Sequence, residues 1–202
     1  YIIRSYTAKV AFREASIDCR LKNLALASSF ASTQVPPTPS QTFYNQSLTD
    51  YKLLLTKQKK WEESLLHLSL DNKTELRDCC FLDRSVIDTI YNLIALAPFF
   101  KLNLVSEAID VAETFWVHPK QFWWTAVHSC IEMDQCQLLV WMMPDKKPIV
   151  EIPAIVRACV EAEKLESAQL IANQSNSESE KKKLMEMIER AKTKTQSTSK
   201  SI

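Results

Sequence analysis

His128, Cys130 and Cys136, with His118 upstream, are the side chains whose types could hold zinc or pair a thiol nucleophile with an imidazole base. Their spacing argues against both. His128 and Cys130 are two positions apart, so on a helix they point in diverging directions. Structural zinc sites usually present ligands as two close pairs, each with a gap of two to four residues. No such double pair and no CxxC occurs here. Cys130 and Cys159 fall on periodic apolar faces, where cysteine reads as a small core hydrophobe. His67 lies between Leu66 and Leu68 without a nearby carboxylate and reads as a surface or core-edge residue. Asp83 and Asp88 read as capping and helix-surface groups. The expectation is a non-catalytic protein that needs neither metal nor cofactor.

Composition narrows the chemistry further. The chain has no glycine, where average usage of about 7% would give roughly fourteen. P-loops, dinucleotide fingerprints, nucleophile elbows and EF-hand loops all need glycine, for positive φ or for close backbone approach. Tight primed hairpin turns lean on it too, which argues for an all-α fold with helices ended by proline and polar residues. Lysine and arginine number 25 against 24 acids, a net charge of +1. That balance provides no field for steering nucleic acid or an anionic membrane. The six cysteines show no framework spacing and no signal peptide precedes them, so free thiols in a reducing compartment are expected. No apolar run reaches membrane-spanning length. At 202 residues and 46% hydrophobic the chain can bury a core, and Tyr1 inside a helical pattern reads as the start of a piece of a longer chain.

The elements that would position any site follow from the apolar spacing. Ile2, Ile3, Tyr6 and Val10, then Leu21, Leu24, Ala27 and Phe30, predict helices over residues 1–32, with Asp18 able to cap a break between them. A Pro-rich exposed loop is expected near 33–42. Tyr44, Leu48, Tyr51, Leu55, Trp61, Leu65 and Leu68 predict a long helix from Phe43, its outer lysines and glutamates a solvated face. Asn72–Asp78 reads as a loop, and Val86 to Ala97 as a helix stopped before Pro98. Asn103, Pro119, Asp134 and Pro153 then open further helices, with another near Leu165. The recurrence predicts an α-solenoid of antiparallel helix pairs of roughly thirty residues each. It spans residues 1–173, followed by a polar helical or frayed tail over 174–202 with Ser177 and Glu180 as a capping box.

Four of the five tryptophans, Trp116, Trp123, Trp124 and Trp141, fall between Phe115 and Pro153. Most are expected in the core. Trp123 and Trp124 are adjacent, however, and neighbouring helical residues point about 100° apart, so one of them is free to serve a second surface.

Several segments, in order, resemble one family, the C-terminal helical region of vacuolar protein sorting-associated protein 16. YIIRSYTAK at 1–9 resembles its first helix, and Phe43, Asp50, Leu53, Leu54, Gln58 and Glu62 fall where its long helix has the same residues. FLDRSVIDTIYNLI at 81–94 is similar to a further segment. VHPKQFWW and KKPIVEIPAIVRAC resemble an Ile-Pro…Trp-Trp motif and a Lys-x-Pro-Ile…Pro…Val…Cys segment, and the likeness covers residues 1–173. Departures are Val150 in place of a glycine, Gln121 in place of a basic residue, a Pro-rich insertion near residue 37 and a shortened end after Asn173. The pattern is that of a divergent member or paralogue.

The resemblance implies a non-catalytic scaffold subunit of HOPS- and CORVET-type tethering complexes. Such a subunit is cytoplasmic, peripheral on late endosomes, lysosomes or vacuoles, and recruits an SM-class SNARE chaperone, vacuolar protein sorting protein 33, for membrane fusion alongside other tethering-complex subunits. Carried over by position, the partner-binding residues are Ser47, Asp50, Tyr51 and Leu54 on the long helix and Gln121 and Trp124 near the tryptophan pair. The other expectation is a generic helical-repeat adaptor that binds peptide segments of other partners.

Overall fold

Without glycine, helix ends in this chain draw on proline, on side-chain caps and on other residue types placed at positive φ. The computed structural model describes residues 16–31, 38–68, 81–99, 103–143 and 150–199. Every regular element among them is a helix, as the sequence predicts. None of these helices is long and apolar enough to cross a membrane. The helix predicted over 1–15, the loop at 72–78, Cys79, Cys80, Pro144 and Pro148 lie outside the described residues. So do the side chains of 65–68, which include His67. The chain divides into two compact units, Tyr1–Ser85 and Val86–Ile202.

In the first unit α1 (Ile17–Ala31) packs along α2 (Pro39–Leu68). Leu24 and Ala27 of α1 meet Leu48 and Leu55 of α2, with Ile17, Leu21, Tyr44, Tyr51 and Leu82 packed around them. Each fully buried leucine of this kind contributes about 1.5–3 kcal/mol. The long helix starts at Pro39, earlier than the Phe43 its apolar spacing predicts. A reciprocal cap explains the difference. Thr38 N–H donates to Gln41 Oε1 at 2.8 Å while Gln41 N–H donates to Thr38 Oγ1 at 3.3 Å, and Pro39 occupies a position where its missing N–H is not needed. Asp18, expected as a cap, instead takes the ammonium of Lys59 at 2.7 Å.

The same unit holds a charged group that helical periodicity does not reveal. Arg20 is buried, and its guanidinium donates to both carboxylate oxygens of Asp83 and, at 2.5 Å, to the Tyr51 hydroxyl. Asp83 is exposed, as a surface group is expected to be, but it is also the counter-ion of a buried arginine 63 residues away. Asp83 also sits at a φ of 63°. The bond from Arg20 holds its carboxyl below the usual carboxylate range against a smaller opposing effect of burial. Gln58, also buried, donates to the Arg84 carbonyl at 2.8 Å, which satisfies its amide nitrogen.

The second unit runs α3 (Val86–Leu96), α4 (Leu104–Thr114), α5 (Pro119–Glu132), α6 (Cys136–Met142), α7 (Ile152–Glu161), α8 (Leu165–Ala172) and α9 (Glu178–Ser199). Helix α3 packs on α4 and α5, α5 on α6, α6 on α8, α7 on α8 and α9, and α8 on α9. Asn103 caps α4 as predicted, its side chain accepting from Ser106 N–H. Pro119 starts α5 behind His118, whose Nδ1 accepts from Lys120 N–H at 3.2 Å. Ser129, fully buried, fastens α5 to α3 by donating to the Tyr91 carbonyl at 3.0 Å.

The ends of α4, α5 and α7 are closed by left-handed residues, two of them polar as expected and one a tryptophan. Val117 N–H donates to Ala112 O at 2.9 Å, Gln135 N–H to Cys130 O at 2.7 Å and Lys164 N–H to Cys159 O at 2.9 Å. Trp116, Asp134 and Glu163 sit just before these donors at φ of 54°, 56° and 60°. This is the Schellman closure without its usual glycine, at a conformational cost of roughly 1–2 kcal/mol for each L-residue so placed. Asp134 thus closes α5 and does not cap α6, whose N-cap Gln135 makes no side-chain cap bond. Asp134 also pairs with Lys164 at 3.3 Å. In the tail, α9 is helical through Ser199 and buries Leu184 and Ile188. Half of the predicted capping box forms there: Glu180 N–H donates to Ser177 Oγ at 3.4 Å, while the Glu180 carboxylate accepts from Ser175.

Candidate partner-binding faces

Of the four residues assigned to helix α2, Tyr51 faces α1, Leu54 is buried on the same side of the helix as Ser47 and Asp50, and Ser47 and Asp50 are open. Tyr44, Leu48, Tyr51 and Leu55 line the side against α1, and the Tyr51 hydroxyl is already held by Arg20. Leu54 is only 7% exposed, which puts it among the buried residues as well. The Ser47 hydroxyl donates to the Phe43 carbonyl at 2.9 Å, and Asp50 accepts from the Gln46 amide at 2.7 Å. Phe43, 76% exposed, and Leu53, 40% exposed, flank them. The spacing Phe43, Ser47, Asp50, Leu53 is four, three and three, so these residues form one stripe on the helix. Sequence reasoning took Ser47 and Asp50 from this stripe and missed Phe43 and Leu53 as candidates, although the same helical period run outward from Ser47 finds both.

Helix α5 is buried nearly all round. Phe122, Trp123, Thr125, Ala126, Val127, Ser129, Cys130 and Ile131 are inside. What remains open after the first turn is a narrow strip made by Gln121, Trp124, His128 and Glu132. The adjacent tryptophans part company, as their helical angle predicts. Trp123 is 3% exposed and meets Phe122 edge-on at 6.1 Å. Trp124 is half-buried, its ring tilted 34° against that of His128 at 5.8 Å. Gln121 is exposed, and its carbonyl accepts from Thr125 Oγ1 at 2.9 Å. Glu132 accepts from the Tyr91 hydroxyl.

The expectation that most of the four clustered tryptophans are core is overturned. Trp116 is 92% exposed and Trp141 60% exposed. Trp141 borders an open groove of about 900 Å³ with Pro98, Asn103, Leu104, Gln135 and Leu138. Trp116 stands at the turn between α4 and α5.

The zinc and nucleophile candidates do not converge. His118 is used as the cap of α5, His128 lies on the open strip, and Cys130 and Cys136 are buried. Among the described residues no group of three or more His, Cys, Asp or Glu could hold a metal ion. Cys130, Cys136 and Cys159 are all buried, and Cys136 donates to the Cys130 carbonyl at 3.8 Å. Burial pushes the Cys130 thiol up to about 12, and the interaction with Cys136, with burial, pushes Cys159 up as well, while the same interaction with Cys159 lowers Cys136 to about 7. All three sulfurs are enclosed by the second unit, where cysteine packs as a small hydrophobe.

Comparison with known proteins found no matching family model and no matching curated protein.

Proposed function

We propose that the chain is a scaffold subunit of a HOPS- or CORVET-type endolysosomal tethering complex that recruits an SM-class SNARE chaperone for membrane fusion. The observation that carries the reading is the order of the motif segments, from YIIRSYTAK through FLDRSVIDTIYNLI and VHPKQFWW to KKPIVEIPAIVRAC, which follows the vacuolar protein sorting-associated protein 16 family. Two features of the helices support it. Ser47 and Asp50 lie on an open apolar-flanked stripe of α2, and Gln121 and Trp124 lie on the open strip of α5. In the second unit, contacts between neighbouring and next-neighbouring helices are what a solenoid of antiparallel helix pairs requires.

In this reading Ser47 and Asp50 of the first unit and Gln121 and Trp124 of the second are each open to vacuolar protein sorting protein 33, while Tyr51 packs against α1 and Leu54 is buried. Ser47→Asp places a carboxylate on an exposed position, where the free chain tolerates it, but desolvates that charge under a partner. Co-expression of the chain with the SM-class partner, read by affinity capture and size exclusion, is expected to give a one-to-one complex that Ser47→Asp abolishes. Undiminished capture by the variant removes the site, and no complex with the unsubstituted chain removes the function. The groove beside Trp141 favours a second reading, a helical adaptor for peptide segments. Pull-down of many unrelated clients, with no single globular partner, is the result that selects it.

A further inference from the structure

We infer that Trp116 is a preorganised anchor for an apolar, acid-rimmed pocket on the protein partner, an inference that rests on the recruiting function proposed above. Trp116 bears two unfavourable features at once. Its indole is 92% exposed, and its backbone sits at a φ of 54°, a region where bulky residues are outliers. Among the described residues nothing compensates by burying the ring. The turn is also held firmly from both sides. Trp116 N–H donates to Glu113 O at 3.4 Å and Val117 N–H to Ala112 O at 2.9 Å, while Pro119 and the His118 cap start α5 immediately afterwards. A residue kept in a strained conformation by surrounding bonds, with its largest apolar surface in solvent, is the pattern expected where strain serves recognition. A rigid tryptophan also loses little conformational entropy on binding, and tryptophan is enriched among residues that dominate interface energy.

The chemistry of the turn defines the occupant. From Phe115 to Gln121 the sequence is FWVHPKQ, with one lysine, one histidine and no acid. Lys120 and His118 are both exposed. Because His118 Nδ1 accepts the Lys120 N–H, its Nε2 carries the ring hydrogen and is a donor. A cationic ammonium and an imidazole donor beside an indole match a hydrophobic pocket with carboxylates or carbonyls at its rim. The turn leads directly into Gln121 and Trp124, so the contact continues the open strip of α5.

The test is to compare Trp116→Gly, Trp116→Phe and Ser47→Asp in the whole chain, by thermal melting and by titration against the purified SM-class partner. Glycine relieves the positive φ, so Trp116→Gly is expected to raise Tm by roughly 2–4 °C while weakening binding about tenfold or more. Trp116→Phe should lose part of that affinity. Higher stability with lower affinity is a signature that a structural tryptophan would not produce. Binding by Trp116→Gly within about twofold of the unsubstituted chain, where Ser47→Asp abolishes it, overturns the anchor and leaves the recruiting function standing; no binding by the unsubstituted chain overturns both. A fall in Tm for Trp116→Gly overturns the anchor in favour of a packing role. Trp116-dependent binding to phosphatidylserine-containing vesicles, with partner affinity unchanged, replaces the protein pocket by a lipid surface.

Discussion

At the scale of single residues the chain's most consequential polar contact is Arg20 with Asp83. The guanidinium is buried, so loss of its counter-ion leaves a charge held, among the described residues, by the Tyr51 hydroxyl. Asp83→Asn is expected to destabilise the chain by about 2 kcal/mol at neutral pH, the size of a hydrogen bond to a charged group. The pH dependence has a definite sign. The folded carboxyl is held below its ordinary value, so its contribution is fully present above the unfolded value of about 3.9 and is lost as pH falls through the lower folded value. Urea denaturation at a series of pH values should show the gap between the unsubstituted chain and Asp83→Asn closing below about pH 4. A gap unchanged down to pH 2 would show that charge is not what Asp83 provides.

At the scale of elements the absence of glycine is visible at the helix ends. Local signals in the sequence were enough for the starts of several helices, because a cap bonds a backbone group only two or three residues away. Asn103, Pro119 and Pro153 are legible for that reason. The Thr38 to Gln41 cap was equally local but was masked by the prolines around it, which read as a loop. The ends were harder. A Schellman closure is ordinarily recognised by its glycine, and here Trp116, Asp134 and Glu163 take that place. Glu163, exposed at a φ of 60°, tests the cost without a partner contact. Glu163→Gly is expected to stabilise the chain by about 0.5–1 kcal/mol, the relief at positive φ being partly offset by the freer unfolded chain. Calorimetry would register this as a higher Tm, and a lower one would mean that the left-handed turn costs the chain nothing.

At the scale of the whole molecule, the second unit has its own core, from Ile90, Leu93 and Ile94 through Trp123 and Val127 to Ile155, Ile171 and Ile188. Residues 86–202 produced without 1–85 should therefore keep helical circular dichroism and melt in a single cooperative transition. A non-cooperative melt would show that the core is incomplete without the preceding residues. The chain divides into compact units after Ser85. Spacing reports where helices begin; which helices share a core depends on contacts across many residues.

The sequence by itself determined the helical class, the lack of glycine-dependent phosphate and nucleotide loops, several helix starts and the angular parting of Trp123 from Trp124. All of these rest on interactions within about one helical turn, or on which residue types are present at all. Tertiary structure decided which residues of α2 are open, leaving Ser47 and Asp50 outside, Tyr51 against α1 and Leu54 buried. It also decided that Asp83 serves Arg20 and that Trp116 and Trp141 stay in solvent. The physical reason is that hydrophobicity fixes how favourable burial would be but not whether a neighbouring element arrives to provide it. Trp116 is the clearest case, since its position past the end of α4, and not its composition, keeps it exposed.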